Sequence, residues 1–266
     1  MTIRSPQWPV TPVRPVPGAD GLQPDAVLFA ISQANLSAGR FKAMAARLEA
    51  AIAVPSVLVR LEGASESLPD ALDSLVAQGH RRILIQPIGL PFAESMRAWL
   101  PGAVGHWLEK TDRADLDVAI GREVLETSDV LERMAIAALD NIETAQPATT
   151  AKTSLGKPGW ETPPDFSHHI LVCTGPRCHY RDAASLVVAL KSEISRQGAS
   201  GKCLTTRTGC MFPCNKGPMV AVYPRGEWYR LPDSEAVEGF VRSVIVEETT
   251  LPEHLFFSAS AKPAIA

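Results

Sequence analysis

Five cysteines stand in the 266-residue chain, all of them after residue 172. Four form two tight pairs. Cys173 and Cys178 are separated by four residues, and after 31 more come Cys210 and Cys214, three residues apart. In a reducing compartment, clustered thiols point to metal or redox chemistry rather than to structural disulfides. Three chemistries compete for this spacing. Two pairs of thiolates supply two ligands to each iron of a [2Fe-2S] cluster. Four thiolates also suit structural zinc, although zinc sites favour Cys-x2-Cys knuckles and neither pair has that spacing. A redox dithiol usually takes the Cys-x-x-Cys form. The spacing favours a cluster on Cys173, Cys178, Cys210 and Cys214 and leaves zinc as the alternative. Gly175, Gly209 and Gly217 flank the pairs. They free the backbone to wrap inorganic sulfur and to offer it N–H groups. Cys203 is expected to begin a strand as a small buried apolar residue. His168, His169 and His179 lie near the pairs and are read as solvated, since four cysteines make a two-histidine Rieske arrangement unnecessary.

These thiols need elements to carry them. Ile170-Leu-Val-Cys173 reads as a strand ending on the first cysteine, with Cys178 in the loop that follows. A helix follows from Asp182 to Gln197, with Leu186, Val187, Leu190 and Ile194 at core spacing. Leu204 to Arg207 suits a second strand. Met219 to Tyr223 and Glu227 to Arg230 suggest a hairpin around Pro224-Arg-Gly226, with Trp228 and Tyr229 as its packing residues. Asp233 or Ser234 can cap a last helix reaching about Glu248.

The first half has a different rhythm. Ala26–Ile31, Val57–Leu61, Ile83–Gln86 and Leu116–Ile120 are short apolar runs. Helical patterns fill the gaps: Arg40 to Ala51, a stretch opened by Ser67-Leu-Pro-Asp70 and stopped by Gly79, Arg97 to Glu109 with a kink near Pro101, and Asp129 to Asp140. This β-α alternation predicts an open parallel sheet with helices on both faces. The expected organisation is a proline-rich arm over residues 1–24, an α/β domain over 25–140, a linker over 141–166, a second α/β domain over 167–250, and a tail over 251–266.

Composition excludes some partners. The chain is 45% hydrophobic and 21% charged, with a formal net charge of -3. That balance offers no electrostatic reason to bind nucleic acid or an anionic membrane. No apolar run has the length of a membrane span, and Met1 to Pro17 lacks the apolar region of a secretory signal. A cytoplasmic location is the expectation.

Two stretches resemble known families. Thr208-Gly-Cys-Met-Phe-Pro-Cys-Asn-Lys-Gly-Pro-Met-Val-Ala-Val-Tyr-Pro-Arg-Gly-Glu-Trp-Tyr229 is similar to the thioredoxin-like [2Fe-2S] ferredoxins. There a Cys-x3-Cys loop precedes Gly-Pro, a hydrophobic strand, Tyr-Pro, Gly and Trp-Tyr. Val172-Cys-Thr-Gly-Pro-Arg-Cys178 matches the strand-end entry to the cluster. Its short x4 spacing is closer to the related ferredoxin-like subunits of hydrogenases and respiratory complexes. The resemblance spans about 80 residues and implies a thioredoxin-like fold, a [2Fe-2S] cluster and one-electron transfer with a redox partner protein.

Leu61-Glu-Gly-Ala-Ser-Glu-Ser-Leu-Pro-Asp-Ala-Leu-Asp-Ser-Leu-Val-Ala-Gln-Gly-His-Arg-Arg-Ile-Leu-Ile-Gln-Pro87 resembles the small CbiX-like cobaltochelatases of the sirohydrochlorin pathway, over roughly residues 25–140. Those enzymes bind metal through two histidines. Where the first is expected, this chain has Phe29-Ala-Ile-Ser-Gln33; where the second is expected, Ser95 stands. His80 and His106 lie elsewhere. Glu62 and Glu94 could offer oxygen ligands, but these suit harder ions than late transition metals. The resemblance therefore implies a degenerate chelatase-like domain that docks a partner or binds a tetrapyrrole, with no catalytic residue assigned. A chelatase of cobalamin or sirohaem synthesis with an accessory cluster is the alternative, and a zinc-stabilised interaction module a third reading. Both families are compatible with a homodimer.

Overall fold

The computed structural model describes residues 23–33, 36–63, 66–90, 92–111, 115–123, 128–140, 142–145, 147, 159 and 161–259. Residues 1–22 of the expected arm and much of the expected linker lie outside the described residues. The chain divides into two units between residues 127 and 128, with residues 62–67 grouped with the second.

The first unit is a four-stranded parallel sheet. Its strands are β1 (Ala26–Ile31), β2 (Ser56–Arg60), β3 (Arg82–Ile88) and β4 (Asp117–Ile120), in the order β2-β1-β3-β4. β1 is buried at all six residues, as a central strand covered on both faces must be. Val27, Phe29 and Ile31 turn to one face, where Phe41, Ala45 and Leu48 of helix α1 (Ala38–Ala51) pack on them. Ser37 caps that helix, accepting from the Arg40 N–H. Leu28 and Ala30 face the other way, toward the side occupied by α2 (Leu68–Ala77), which buries Leu72, Leu75 and Val76. The helix α3 (Glu94–Thr111) contains Pro101 without interruption. The Asp25 carboxylate accepts from the Arg81 and Arg82 N–H groups at 3.1–3.2 Å, tying the entry of β1 to that of β3.

Helix α4 (Val130–Asp140) buries none of its residues. Its sequence pattern assigns it to the domain over 25–140, whereas the structure groups it with the second unit. Apolar periodicity defines the helix but does not say which core it joins.

The second unit is a five-stranded mixed sheet. Its strands are β5 (His168–Cys173), β6 (Cys203–Thr208), β7 (Met219–Tyr223), β8 (Glu227–Arg230) and β9 (Leu255–Ser258), in the order β6-β5-β7-β8-β9. β5 and β6 are parallel; the other neighbours are antiparallel. Between β5 and β6 come α5 (Pro176–Tyr180) and α6 (Ala183–Arg196), and after β8 comes α7 (Ser234–Phe240), continued by a π-helical segment over Val241–Val246. Asp182 caps α6 and Asp233 caps α7. Ile170, Val172, Val220, Val222 and Tyr229 meet Leu186, Leu190, Val237 and Phe240 in one core, so α6 and α7 share a face of the sheet. Gly226 takes a positive φ of 65° in the β7-β8 turn, which a glycine adopts without strain.

Two expectations are corrected here. Residues 255–258 are not tail: they pair antiparallel with β8, and Phe256 and Phe257 both meet the Trp228 ring edge-on. Residues 176–180 are not loop but a short helix, with Pro176 in the first turn where its missing N–H costs nothing.

Candidate metal centre

β5 and β6 lie side by side in parallel, with Cys173 opposite Thr208. Their carboxyl ends therefore coincide, and the chain leaving each carries one cysteine pair. Cys173 is the last residue of β5 and Cys178 lies in α5; each is 1% exposed. Cys210 follows β6 by two residues, and Cys214 starts the 3-10 turn Cys214–Lys216. The Thr174 N–H and hydroxyl both donate to the Thr208 carbonyl, at 3.1 and 2.8 Å, and lock the two exits together.

Glycine makes this closure possible. A Cβ on Gly175 would lie 2.7 Å from Cys210 Cα, and one on Gly217 would collide with Cys178 Sγ. The loops thus approach to distances only a hydrogen allows. Cys210 and Cys214 bring their sulfurs to 3.3 Å, and Cys173 and Cys178 are hydrogen-bonded to each other.

The electrostatics of four crowded thiols are unfavourable on their own. A hydrogen bond from Cys178, helped by the Met211 and Gly175 backbones, lowers the Cys173 pKa to about 6. The same bond, together with burial, drives Cys178 strongly upward. Burial also raises Cys210. Like charges this close cannot all ionise unless a multivalent cation joins them. Arg177 places Nη1 3.9 Å from Cys214 Sγ, and Arg181 donates to the Cys214 carbonyl at 2.6 Å. A donor set of two adjoining thiol pairs fits a binuclear iron–sulfur group.

The remaining candidates fall elsewhere. Cys203 opens β6, about 16 Å along the strand from its exit at ~3.3 Å per residue. It packs on the main core, and burial pushes its thiol up to about 11. The histidines are not all solvated. His168 and His179 are 5% and 1% exposed, because His168 falls on the inward register of β5 and His179 on the covered side of α5. His169 meets Thr206 Oγ1 at 2.8 Å. Arg177 and Arg181 are the functional neighbours that spacing did not single out; their only signal was an arginine on each side of Cys178.

In the first unit, a cleft of about 370 Å³ opens beyond the carboxyl ends of β3 and β4. Phe92, Arg97, Leu100, Ile120, Arg122 and Glu123 line it. Glu123 is buried and accepts from the Phe92 N–H at 2.6 Å. Among the described residues that line the cleft there is no histidine; His80 lies beside Asp25 at the amino end of the sheet. Glu62 is not among the described residues that line the cleft, and the side chain of Glu94 lies outside what is described. The acidic group present there is Glu123, which the sequence reading did not name.

No family model matches the chain. A "Ferredoxin, 2Fe-2S" of Clostridium pasteurianum is 34% identical over 86 residues, covering 29% of this chain and 84% of that protein. The solved thioredoxin-like [2Fe-2S] ferredoxin of Aquifex aeolicus is 25% identical, with a TM-score of 0.34 over 38% of this chain and 99% of that one. A cobalamin-biosynthesis CbiX protein structure from Marinobacter aquaeolei is 15% identical, with a TM-score of 0.36 over 46% of this chain and 93% of that one. By its identity to most of the clostridial protein over 86 residues, this chain belongs to the 2Fe-2S ferredoxins.

Proposed function

We propose that the second unit holds a [2Fe-2S] cluster on Cys173, Cys178, Cys210 and Cys214 and works as a one-electron carrier. The observation that carries this reading is the coincidence of the β5 and β6 exits, which brings both thiol pairs to one place. When bound, the cluster supplies a metal-centred site for one electron at a time. The chain's own residues set its surroundings. Cys173 and Cys178 are shielded from water, while Cys210 and Cys214 lie nearer the surface. Arg177 and Arg181 offset thiolate charge at Cys214. The first unit then serves as a degenerate chelatase-like domain. Its cleft, with two arginines among apolar walls, would receive the carboxylates of a tetrapyrrole or a partner's surface. Phe29-Ala-Ile-Ser-Gln33 and Ser95, where chelatase histidines are expected, weigh against retained metal insertion.

The test is anaerobic purification of the full chain with iron and sulfide analysis, visible absorbance and electron paramagnetic resonance. Equal amounts of iron and sulfide, two of each per chain, and a rhombic signal on reduction are expected. A colourless protein with one zinc per chain would overturn the reading. Cobalt insertion into sirohydrochlorin at the rate of a histidine-bearing chelatase would revive the alternative of a chelatase with an accessory cluster.

A further inference from the structure

Helices α6 and α7 cover one face of the second sheet. On the opposite face, Trp228 and Phe256 pack against the buried group Cys173, Cys178, Ala183 and Met219. Their outer surfaces join Phe257, Phe212, Pro213 and Lys216 to line a groove of about 320 Å³. Trp228 meets Phe256 and Phe257 edge-on, at 6.4 and 6.0 Å between centroids. One layer of aromatic side chains thus separates the groove from the thiols.

Phe212 marks the groove as built for contact. It stands between Cys210 and Cys214, is 73% exposed, and has a φ of 47°. A bulky residue adopts that left-handed conformation only at a cost, and such strain collects at functional sites. Here the strained residue presents a large apolar ring to water beside the ligand loop. Charge then narrows the occupant. Exposed Lys216 lines the groove, exposed Arg177 approaches Cys214, and exposed Arg230 lies two residues from Trp228 on the same strand face. Among the described residues that line the groove there is no carboxylate. Glu227 points to the other face, bound by Tyr229 and Arg225, and Asp182 caps α6. A second copy seated here across a twofold axis would set this basic rim against itself.

We propose that this groove is the docking seat for a one-electron carrier protein with an acidic rim around an apolar centre, with Phe212 as the anchor. The inference rests on the ferredoxin reading above. One electron passes between the partner's redox group and the cluster, converting one ferric ion to ferrous or the reverse; no bond is made or broken. Arg177, Lys216 and Arg230 steer the encounter, and Phe212 with Trp228 provides the desolvated contact.

Two carrier proteins of opposite charge serve as probes for the full, cluster-loaded chain. Fully reduced flavodoxin is the acidic donor, and oxidised cytochrome c is the basic acceptor. The second-order rate with flavodoxin should fall about tenfold from low salt to about 0.2 M salt. Phe212→Ser should slow it about fivefold and Lys216→Glu about tenfold, with iron content, visible spectrum and potential kept in Phe212→Ser. The cytochrome c rate should not fall with salt. A flavodoxin rate indifferent to salt and to both substitutions, in chains with intact clusters, would overturn the docking seat. So would a cytochrome c reaction that is faster and salt-screened, or a dimer in sedimentation that Phe212→Ser dissolves. Absence of iron and sulfide would overturn the ferredoxin reading itself, and that is measured before any docking rate.

Discussion

Replacing Gly175 with alanine isolates the steric logic of the thiol site. Gly175 has an ordinary φ of -64°, so alanine adds no backbone strain and the whole effect comes from one methyl group. That methyl would lie 2.7 Å from Cys210 Cα, 2.8 Å from its N and 2.9 Å from its Cβ. Ordinary contact begins at 3.4 Å, so the two loops must part by about 0.7 Å, the difference between 3.4 and 2.7 Å. The opposing atoms are backbone and cannot swing aside as a flexible side-chain tip would. Overpacking of this kind costs ~1–3 kcal/mol. At ~4–8 °C per kcal/mol for a domain of this size, the expected loss is roughly 5–20 °C. The displacement separates Cys210 from Cys173 and Cys178, so cluster content should fall as well. The assay is iron and sulfide per chain together with the temperature at which visible absorbance is lost. Gly209→Ala is the internal control: it adjoins Cys210, yet a Cβ there meets nothing within 4 Å, and it should change stability by less than ~0.5 kcal/mol. If Gly175→Ala matched Gly209→Ala in both measurements, the claim that close loop approach builds the site would be refuted.

Serine at Cys173, Cys178, Cys210 or Cys214 should each lower iron and sulfide content sharply, whereas Cys203→Ser should leave both unchanged; loss of the cluster in the last variant would contradict the ligand assignment. Arg177→Gln should lower the reduction potential by roughly tens of millivolts in protein-film voltammetry, because a cation 3.9 Å from Cys214 Sγ favours the more negative, reduced state. Tyr229→Phe removes the donor that meets Glu227 Oε2 at 2.6 Å in a buried position. Urea denaturation should show a loss of ~1–3 kcal/mol, and an unchanged midpoint would show that Arg225 alone satisfies the carboxylate. His168 is held below its ordinary value of 6.5, chiefly by burial, and neither ring nitrogen has a hydrogen-bond partner. The unfolded chain therefore binds a proton that the folded one resists, so stability is full above pH 6.5 and is lost as pH falls below it. His168→Gln should flatten that slope in denaturation measured from pH 7.5 to 5.5; an unaltered slope would assign the acid sensitivity elsewhere.

The thiol pairs, their order and their strand-end setting were legible in the sequence, because a β-strand, a glycine and a cysteine spacing are local patterns. So was the alternation that builds the first sheet, since a buried parallel strand leaves an unbroken apolar run such as Ala26–Ile31. The histidines were not legible: burial of His168 depends on its inward register in β5, and that of His179 on helix α5, which a five-residue segment starting with proline does not announce. Strand β9 was missed for a related reason. Leu255–Ser258 shows no alternation, and it becomes a strand only because β8 offers it an open edge. Sequence by itself determined which atoms could bind a metal. The tertiary structure decided that both pairs meet at the carboxyl ends of β5 and β6, that Arg177 and Arg181 flank them, and that Phe212, Trp228 and Phe256 form one surface beside them. Those are contacts between residues far apart in the chain, set by strand pairing and packing, which no local pattern encodes.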